Sequence, residues 1–187
     1  GLPEEYLVGL FIGQHILEKN LEFLLRTLPL VMDELPNFRM IFVGKGYAKE
    51  SLIALAQKLD ISDRVVFHDV IYDRELLKAI YARADLFLFP SLYDNAPLVL
   101  REAAAMKTPA VLIKGSTAAE VIQNGENGFL CQADNEDFAQ TIVRALSDRE
   151  ALARIGANAQ RTLCRTWESI IDEVAQRYHS ILDHWTR

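Results

Sequence analysis

Two carboxylates and one ammonium are the groups in this chain whose types and spacing could do chemistry on a ligand. Asp94 and Glu102 stand with seven residues between them in the stretch ADLFLFPSLYDNAPLVLREAAAM, and Lys19 follows an early Gly13-Gln14-His15 turn. An ionised carboxylate only accepts hydrogen bonds, and the hydroxyls of a sugar or a ribose donate them, often in vicinal pairs. A lysine near a helix start suits a phosphate. Pro97 fits the first turn of a helix, whose unpaired backbone N–H groups at Leu98 and Val99 could hold a diphosphate. A diphosphate bound there repels any carboxylate it touches, so Asp94 and Glu102 must serve a neighbouring neutral group. Spacing alone favours plainer assignments. Asp94 would cap the helix, Glu102 would pair with Arg101 or Arg83, and Lys19 would be an exposed residue of a turn.

Positioning these groups requires strands that stop beside one another. Leu7 to Ile12, Phe38 to Val43, Val65 to Phe67, Asp85 to Phe89, Pro109 to Ile113 and Phe129 to Cys131 read as short buried strands. Between them, helical spacing predicts helices over Glu18 to Leu35, Lys49 to Leu59 and Asp73 to Ala84, the last with Leu76, Leu77, Ile80 and Tyr81 inward. The helix from Pro97 buries Val99, Leu100, Ala103 and Met106, and a short one covers Thr117 to Gln123. Three more helices follow over Asp137 to Leu146, Glu150 to Leu163 and Glu168 to Trp185, where Trp167, Tyr178 and Trp185 are expected to pack the last helix. Alternation of strand and helix means crossover connections. The expected fold is therefore α/β, a doubly wound, Rossmann-like parallel sheet of about six strands with extra C-terminal helices, in one domain over 1–187. In such sheets ligands bind outside the carboxyl ends of the strands. The loops Gly13 to Lys19, Gly44 to Tyr47, His68 to Asp73, Pro90 to Asn95 and Lys114 to Thr117 should then share one edge.

Composition narrows the partners. A net charge of −6 and a pI near 5.3 argue against a general phosphate-backbone binder, so no nucleic acid is expected. Cys131 and Cys164 fall in no CxxC pattern and read as packed thiols in a reducing compartment. His15, His68, His179 and His184 have no ligand spacing, so no metal is assigned. Gly44-Lys45-Gly46 lacks the third glycine of a dinucleotide fingerprint, and there is no GxxxxGK[ST] or GxSxG. No run is apolar enough for a membrane span, and Gly1 to Tyr6 lacks the features of a secretory signal. The missing initiator Met reads as an excised piece of a longer protein.

The run FPSLYDNAPLVLREAAAM, followed by TPAVLIKGSTAAEVIQNGENGFL, resembles the C-terminal donor-binding domain of a group 1 (family 4) retaining glycosyltransferase of GT-B fold. GLFIGQHILEKN is similar to that family's VGRLxxxKG segment, RMIFVGKGY to its IVGxG strand, and RVVFHDVI to its base-binding turn. The resemblance implies a cytoplasmic enzyme that transfers a sugar from a UDP- or GDP-linked donor with retention of configuration. It uses no cofactor and no divalent ion, there being no DxD. An acceptor glycan or glycolipid, and any peripheral membrane contact, would come through an N-terminal domain absent from this chain, so the domain alone should be inactive. By the match, Asp94 takes the first position of an E-x7-E pair, near the donor sugar, and Glu102 the second, on the ribose. Leu98 and Val99 give N–H groups to the diphosphate, Ile71 offers its backbone to the base, and Lys19 neutralises the phosphates and aids departure of the leaving group. Gly13, Gln14 and Asn95 complete the donor site. Gln14 stands where the family usually has arginine, Asp94 is a methylene shorter than the usual glutamate, Asn95-Ala96-Pro97 replaces xFG, and Lys107 replaces a frequent glycine. These departures fit a bacterial subgroup with the same chemistry or a weakened enzyme, and the survival of the carboxylates and the lysine favours the first. Two other readings use the same residues, a nucleotide-sugar-binding module with weakened catalysis and a nucleotide-sugar epimerase.

Overall fold

The computed structural model describes residues 3, 5–164 and 167–185. The reading of Gly1 to Tyr6 and the ends of the 1–187 span therefore lie partly outside the described residues. Six strands form one wholly parallel sheet: β1 (Leu7–Ile12), β2 (Phe38–Val43), β3 (Val65–His68), β4 (Leu86–Phe89), β5 (Ala110–Ile113) and β6 (Phe129–Cys131). Their order is β3-β2-β1-β4-β5-β6. The chain winds outward from β1 to β3, returns to place β4 on the other side of β1, and winds outward again to β6. The reversal between β1 and β4 opens a crevice at the carboxyl ends of these two strands, which is the place where a doubly wound sheet takes a ligand.

Both faces of the sheet are covered, and the apolar strands follow from that. β4 and β5 are buried throughout, and Phe11, Phe87 and Phe89 stack across the centre with ring centroids 5.8–6.2 Å apart. Helices α1 (Leu21–Glu34), α2 (Lys49–Lys58), α3 (Arg74–Arg83), α4 (Leu98–Ala105), α5 (Asn135–Ser147) and α6 (Arg149–Leu163) bury an apolar side against the sheet or each other.

Several expectations change at the element ends. The predicted helix from Glu18 is a 3-10 turn at Leu17–Lys19, a left-handed Asn20 at φ 56°, and only then α1. The predicted helix over Thr117 to Gln123 is a 3-10 turn over Thr117–Val121. Leu76, expected inward, is exposed, because α3 leans on the sheet through Leu77, Ile80 and the buried Tyr81 instead. The larger correction concerns α7 (Trp167–Trp185). None of its residues is buried, and Trp167, Tyr178 and Trp185, expected to pack it, are 79%, 66% and 86% exposed. Its apolar residues do keep helical spacing, but apart from the half-buried Ile170 they stand exposed.

Candidate functional site

The loops after β1 and β4 meet across the crevice. Asn20 donates its side-chain N–H to the Pro90 carbonyl at 3.2 Å, and Ser91 donates its hydroxyl to the Glu18 carbonyl at 3.4 Å. Above these ties the Lys19 ammonium is hydrogen-bonded and ion-paired to the Asp94 carboxylate. These residues lie 75 positions apart in the chain, and the winding of the sheet alone brings them together. Asp94 is further fixed through its backbone N–H, which donates to the Thr117 hydroxyl at 2.8 Å, while the Thr117 N–H donates to the Leu92 carbonyl at 3.2 Å.

Asp94 therefore does not cap α4. The N-cap is Pro97, which offers no side-chain acceptor, so the first-turn N–H groups of Leu98 and Val99 remain open toward a cavity of about 400 Å³. Gly13, Gln14, Lys19, Asp94, Asn95, Leu98 and Val99 line it together. Helix N-terminal donors, a cation and a carboxylate held by that cation make a site that can accept an anion without exposing it to a bare negative charge. This resolves the repulsion implied by the sequence, since Lys19 offsets Asp94.

The opposite wall is formed by the loops after β1 and β2, and it is shaped by close backbone contact. Gly44 adopts φ 144°, and a Cβ there would lie 1.9 Å from the Gly13 carbonyl oxygen. A Cβ at Gly46 would fall 2.2 Å from the His15 carbonyl oxygen. Behind these glycines, His15 is wholly buried, its ring 6.1–6.4 Å from those of Phe11, Phe42 and Phe67. Neither ring nitrogen has a hydrogen-bond partner. Burial, aided by the nearby Lys49 ammonium, pushes the His15 pKa down to about 4, against a smaller opposing pull from Asp69, so the ring is neutral at pH 7.

Ile71 and Glu102 lie farther along. Ile71 lines an adjoining cavity of about 290 Å³, which shares Gly13 and Gln14 with the first and has Val43, Val70 and Leu77 as apolar floor. Glu102 lies in a third hollow of about 370 Å³ that also reaches Leu77. The first two hollows share Ile12, Gly13 and Gln14 and the last two share only Leu77, so Glu102 does not line the cavity that holds Lys19 and Asp94. Glu102 pairs with neither Arg101 nor Arg83. It accepts a hydrogen bond from the Tyr81 hydroxyl at 2.8 Å, while Arg83 faces Asp85 at 3.7 Å. Desolvation and the adjacent Glu102 charge raise the Tyr81 pKa, keeping the phenol protonated as a donor.

Tyr81, Thr117 and His15 are the site-supporting residues that the sequence did not reveal as such. Tyr81 carried the best available signal, because a phenol on a buried helical stripe must find a partner for its hydroxyl. Lys107 has a left-handed φ of 62°, a conformation that glycine adopts without cost, which accounts for the family's frequent glycine there and leaves the lysine without a structural explanation. Ala96, in the segment that replaces xFG, is left-handed too, at φ 46°. Cys131 and Cys164 are free thiols, and among the described residues no group of three His, Cys, Asp or Glu could hold a metal.

A doubly wound parallel sheet with an ammonium–carboxylate pair and an uncapped helix start at its switch point defines a Rossmann-like α/β protein. The family model of glycosyl transferases group 1 matches residues 1–162, and the chain belongs to that family. A sulfoquinovosyl transferase of Arabidopsis thaliana is 33% identical over 193 aligned residues, covering 100% of this chain and 36% of its own length. Sucrose-phosphate synthase from Thermosynechococcus elongatus superposes with a TM-score of 0.83 at 26% identity, over 98% of this chain and 47% of its own. HepE from Anabaena, solved in complex with UDP-glucose, superposes with a TM-score of 0.80 at 23% identity, over 94% of this chain and 49% of its own. The sheet is thus that of a GT-B glycosyltransferase. The chain spans less than half the length of each of these three proteins.

Proposed function

We propose that this chain is the donor-binding half of a retaining glycosyltransferase that takes a sugar from a nucleoside-diphosphate donor. The observation that carries the reading is the Lys19–Asp94 pair set across the β1/β4 crevice beside the open N–H groups of Leu98 and Val99. The diphosphate lies on those N–H groups and on the Lys19 ammonium, which stabilises the charge left on the nucleoside diphosphate as the glycosidic bond breaks. Asp94, one bond from Lys19, accepts from hydroxyls of the donor sugar. Glu102 accepts from the ribose, and the Ile71 backbone meets the base in the apolar hollow. The complex of HepE with UDP-glucose supports a sugar nucleotide as the ligand class. The reaction needs no cofactor in this reading. The acceptor, a glycan or glycolipid, is held by a further domain, through which any contact with a membrane is made; no described helix of this chain is long and apolar enough to cross one.

Calorimetric titration with UDP, GDP and ADP, then with the sugar nucleotides of whichever base binds, tests the reading. One nucleotide should saturate a single site, and Lys19→Ala should weaken the diphosphate more than the bare nucleoside. Equal losses for the two would reduce Lys19 to a surface charge and remove the central support.

A further inference from the structure

The two cavities that meet at the Gly13-Gln14 turn contain little free positive charge. Lys19 is committed to Asp94, so that pair is close to neutral, and a nucleoside diphosphate brings at least two negative charges. The open N–H groups of α4 supply only partial charge. The other cation lining these hollows is Lys45, which is exposed and has no ion pair among the described residues.

The register of the sheet fixes where Lys45 stands. β1 and β2 pair in parallel with Ile12 beside Val43, and the ladder runs on past the strand ends. The Gly13 N–H donates to the Val43 carbonyl at 3.0 Å and the His15 N–H to the Lys45 carbonyl at 2.9 Å. Continuing the register sets Gln14 directly beside Lys45, at the inter-strand spacing of about 4.8 Å, and both line the same cavity. The close approaches at Gly44 and Gly46 hold this part of the loop in place. Gln14 also lines the cavity that holds Lys19 and the α4 N–H groups, so a four-carbon stem rooted at its neighbour can bring an ammonium to the boundary between base and diphosphate.

We infer that Lys45 is the uncommitted cation of the donor site, reaching over Gln14 to the diphosphate of the bound nucleotide. This rests on the donor-site reading above. The free ammonium adds to the charge of Lys19, which Asp94 partly offsets, and the Gln14 amide beside it contributes a neutral donor.

UDP and uridine, or GDP and guanosine if the guanine nucleotide is the one that binds, are titrated into the wild type, Lys45→Ala and the double variant Lys45→Ala/Gln14→Arg at low and high salt. Lys45→Ala should weaken the diphosphate about tenfold and leave the nucleoside unchanged. It should also flatten the salt dependence, and moving the cation to position 14 should restore most of the loss. Loss of nucleoside and diphosphate in equal measure would make Lys45 a reader of the base, and unchanged affinity would make it a solvated surface charge; either overturns the assignment while leaving the donor site standing. A folded wild type that binds no nucleoside diphosphate would overturn both. Lys45 is exposed and its structural bond is made by its backbone carbonyl, so the alanine variant keeps the loop.

Discussion

The side chains of the two walls of the site hold by different means. On the β1/β2 side, where the backbone ladder runs on past the strand ends, the contacts around the His15 turn are contacts of shape. Glycines let backbones touch, and a neutral imidazole fills a pocket of phenyl rings without making a hydrogen bond. On the β4/α4 side, polar contacts do it: Lys19 with Asp94, Thr117 with the Asp94 backbone, and Tyr81 with Glu102. The first wall should therefore respond to added volume and to protonation. The second should respond to the deletion of single hydrogen bonds, and with smaller changes, because each such bond contributes only about 0.5–1.5 kcal/mol net.

The strongest test adds one methyl group to the shape-held wall. Gly46→Ala drives a Cβ into the His15 backbone at 2.2 Å, and backbone cannot swing aside like the end of a long side chain. The expected destabilisation is at or above the top of the roughly 1–3 kcal/mol range for overpacking, read from the midpoint of urea unfolding. A loss below a few tenths would mean that this loop is loosely held and that the contrast between the walls is false.

Protonation is the next lever. The folded-state pKa of His15 is lowered from 6.5 to about 4, so the unfolded chain binds a proton there that the folded one refuses. The contribution is fully present above pH 6.5 and is lost as pH falls toward 4, about 3 kcal/mol in all. His15→Leu removes the two unpartnered nitrogens and should flatten this part of the stability–pH curve relative to the wild type. The charged groups facing the ring, Lys49 and Asp69, are paired to each other and remain in both proteins. Parallel curves for the two proteins between pH 4 and 6.5 would show that His15 is not the titrating group.

How far the sequence anticipated these walls differs between them. The strand pattern was enough to predict a doubly wound sheet, and hence that the loops carrying Lys19 and Asp94 would end at one edge, although nothing local links two residues 75 positions apart. The pairing of Tyr81 with Glu102 was hidden because the pitch of α3 against α4 decides it, and helical spacing says only that Tyr81 faces inward. His15 was hidden for a related reason. A histidine in a loop reads as solvated, and its burial depends on three phenylalanines from three different strands. The exposed stripe of α7 marks the limit of periodicity as evidence. Apolar residues at helical spacing define a face, but whether anything covers that face depends on tertiary contacts that the spacing does not encode.

On the polar wall, Glu102→Ala should weaken nucleotide binding by roughly 1–3 kcal/mol, through one lost charge-assisted hydrogen bond, and should also lower the unfolding midpoint, because it leaves the buried Tyr81 hydroxyl without its acceptor. Unchanged affinity for the nucleoside diphosphate would remove Glu102 from the ribose and leave Asp94 as the one functional carboxylate.

The smallest expected effect gives the finest test, because it separates holding Glu102 from using it. Tyr81→Phe keeps the ring in the core and deletes only the hydroxyl that donates to the Glu102 carboxylate. The carboxylate then turns to water, which is near, since Glu102 itself is exposed. Stability should fall by about 1 kcal/mol. Nucleotide affinity should fall less than in Glu102→Ala, because the acceptor remains and only its orientation is freed, at a cost in side-chain ordering of about 0.5–1.5 kcal/mol on binding. A loss as large as that of Glu102→Ala would mean that the phenol itself touches the ligand, so that the hollow between α3 and α4 is part of the binding surface rather than its support.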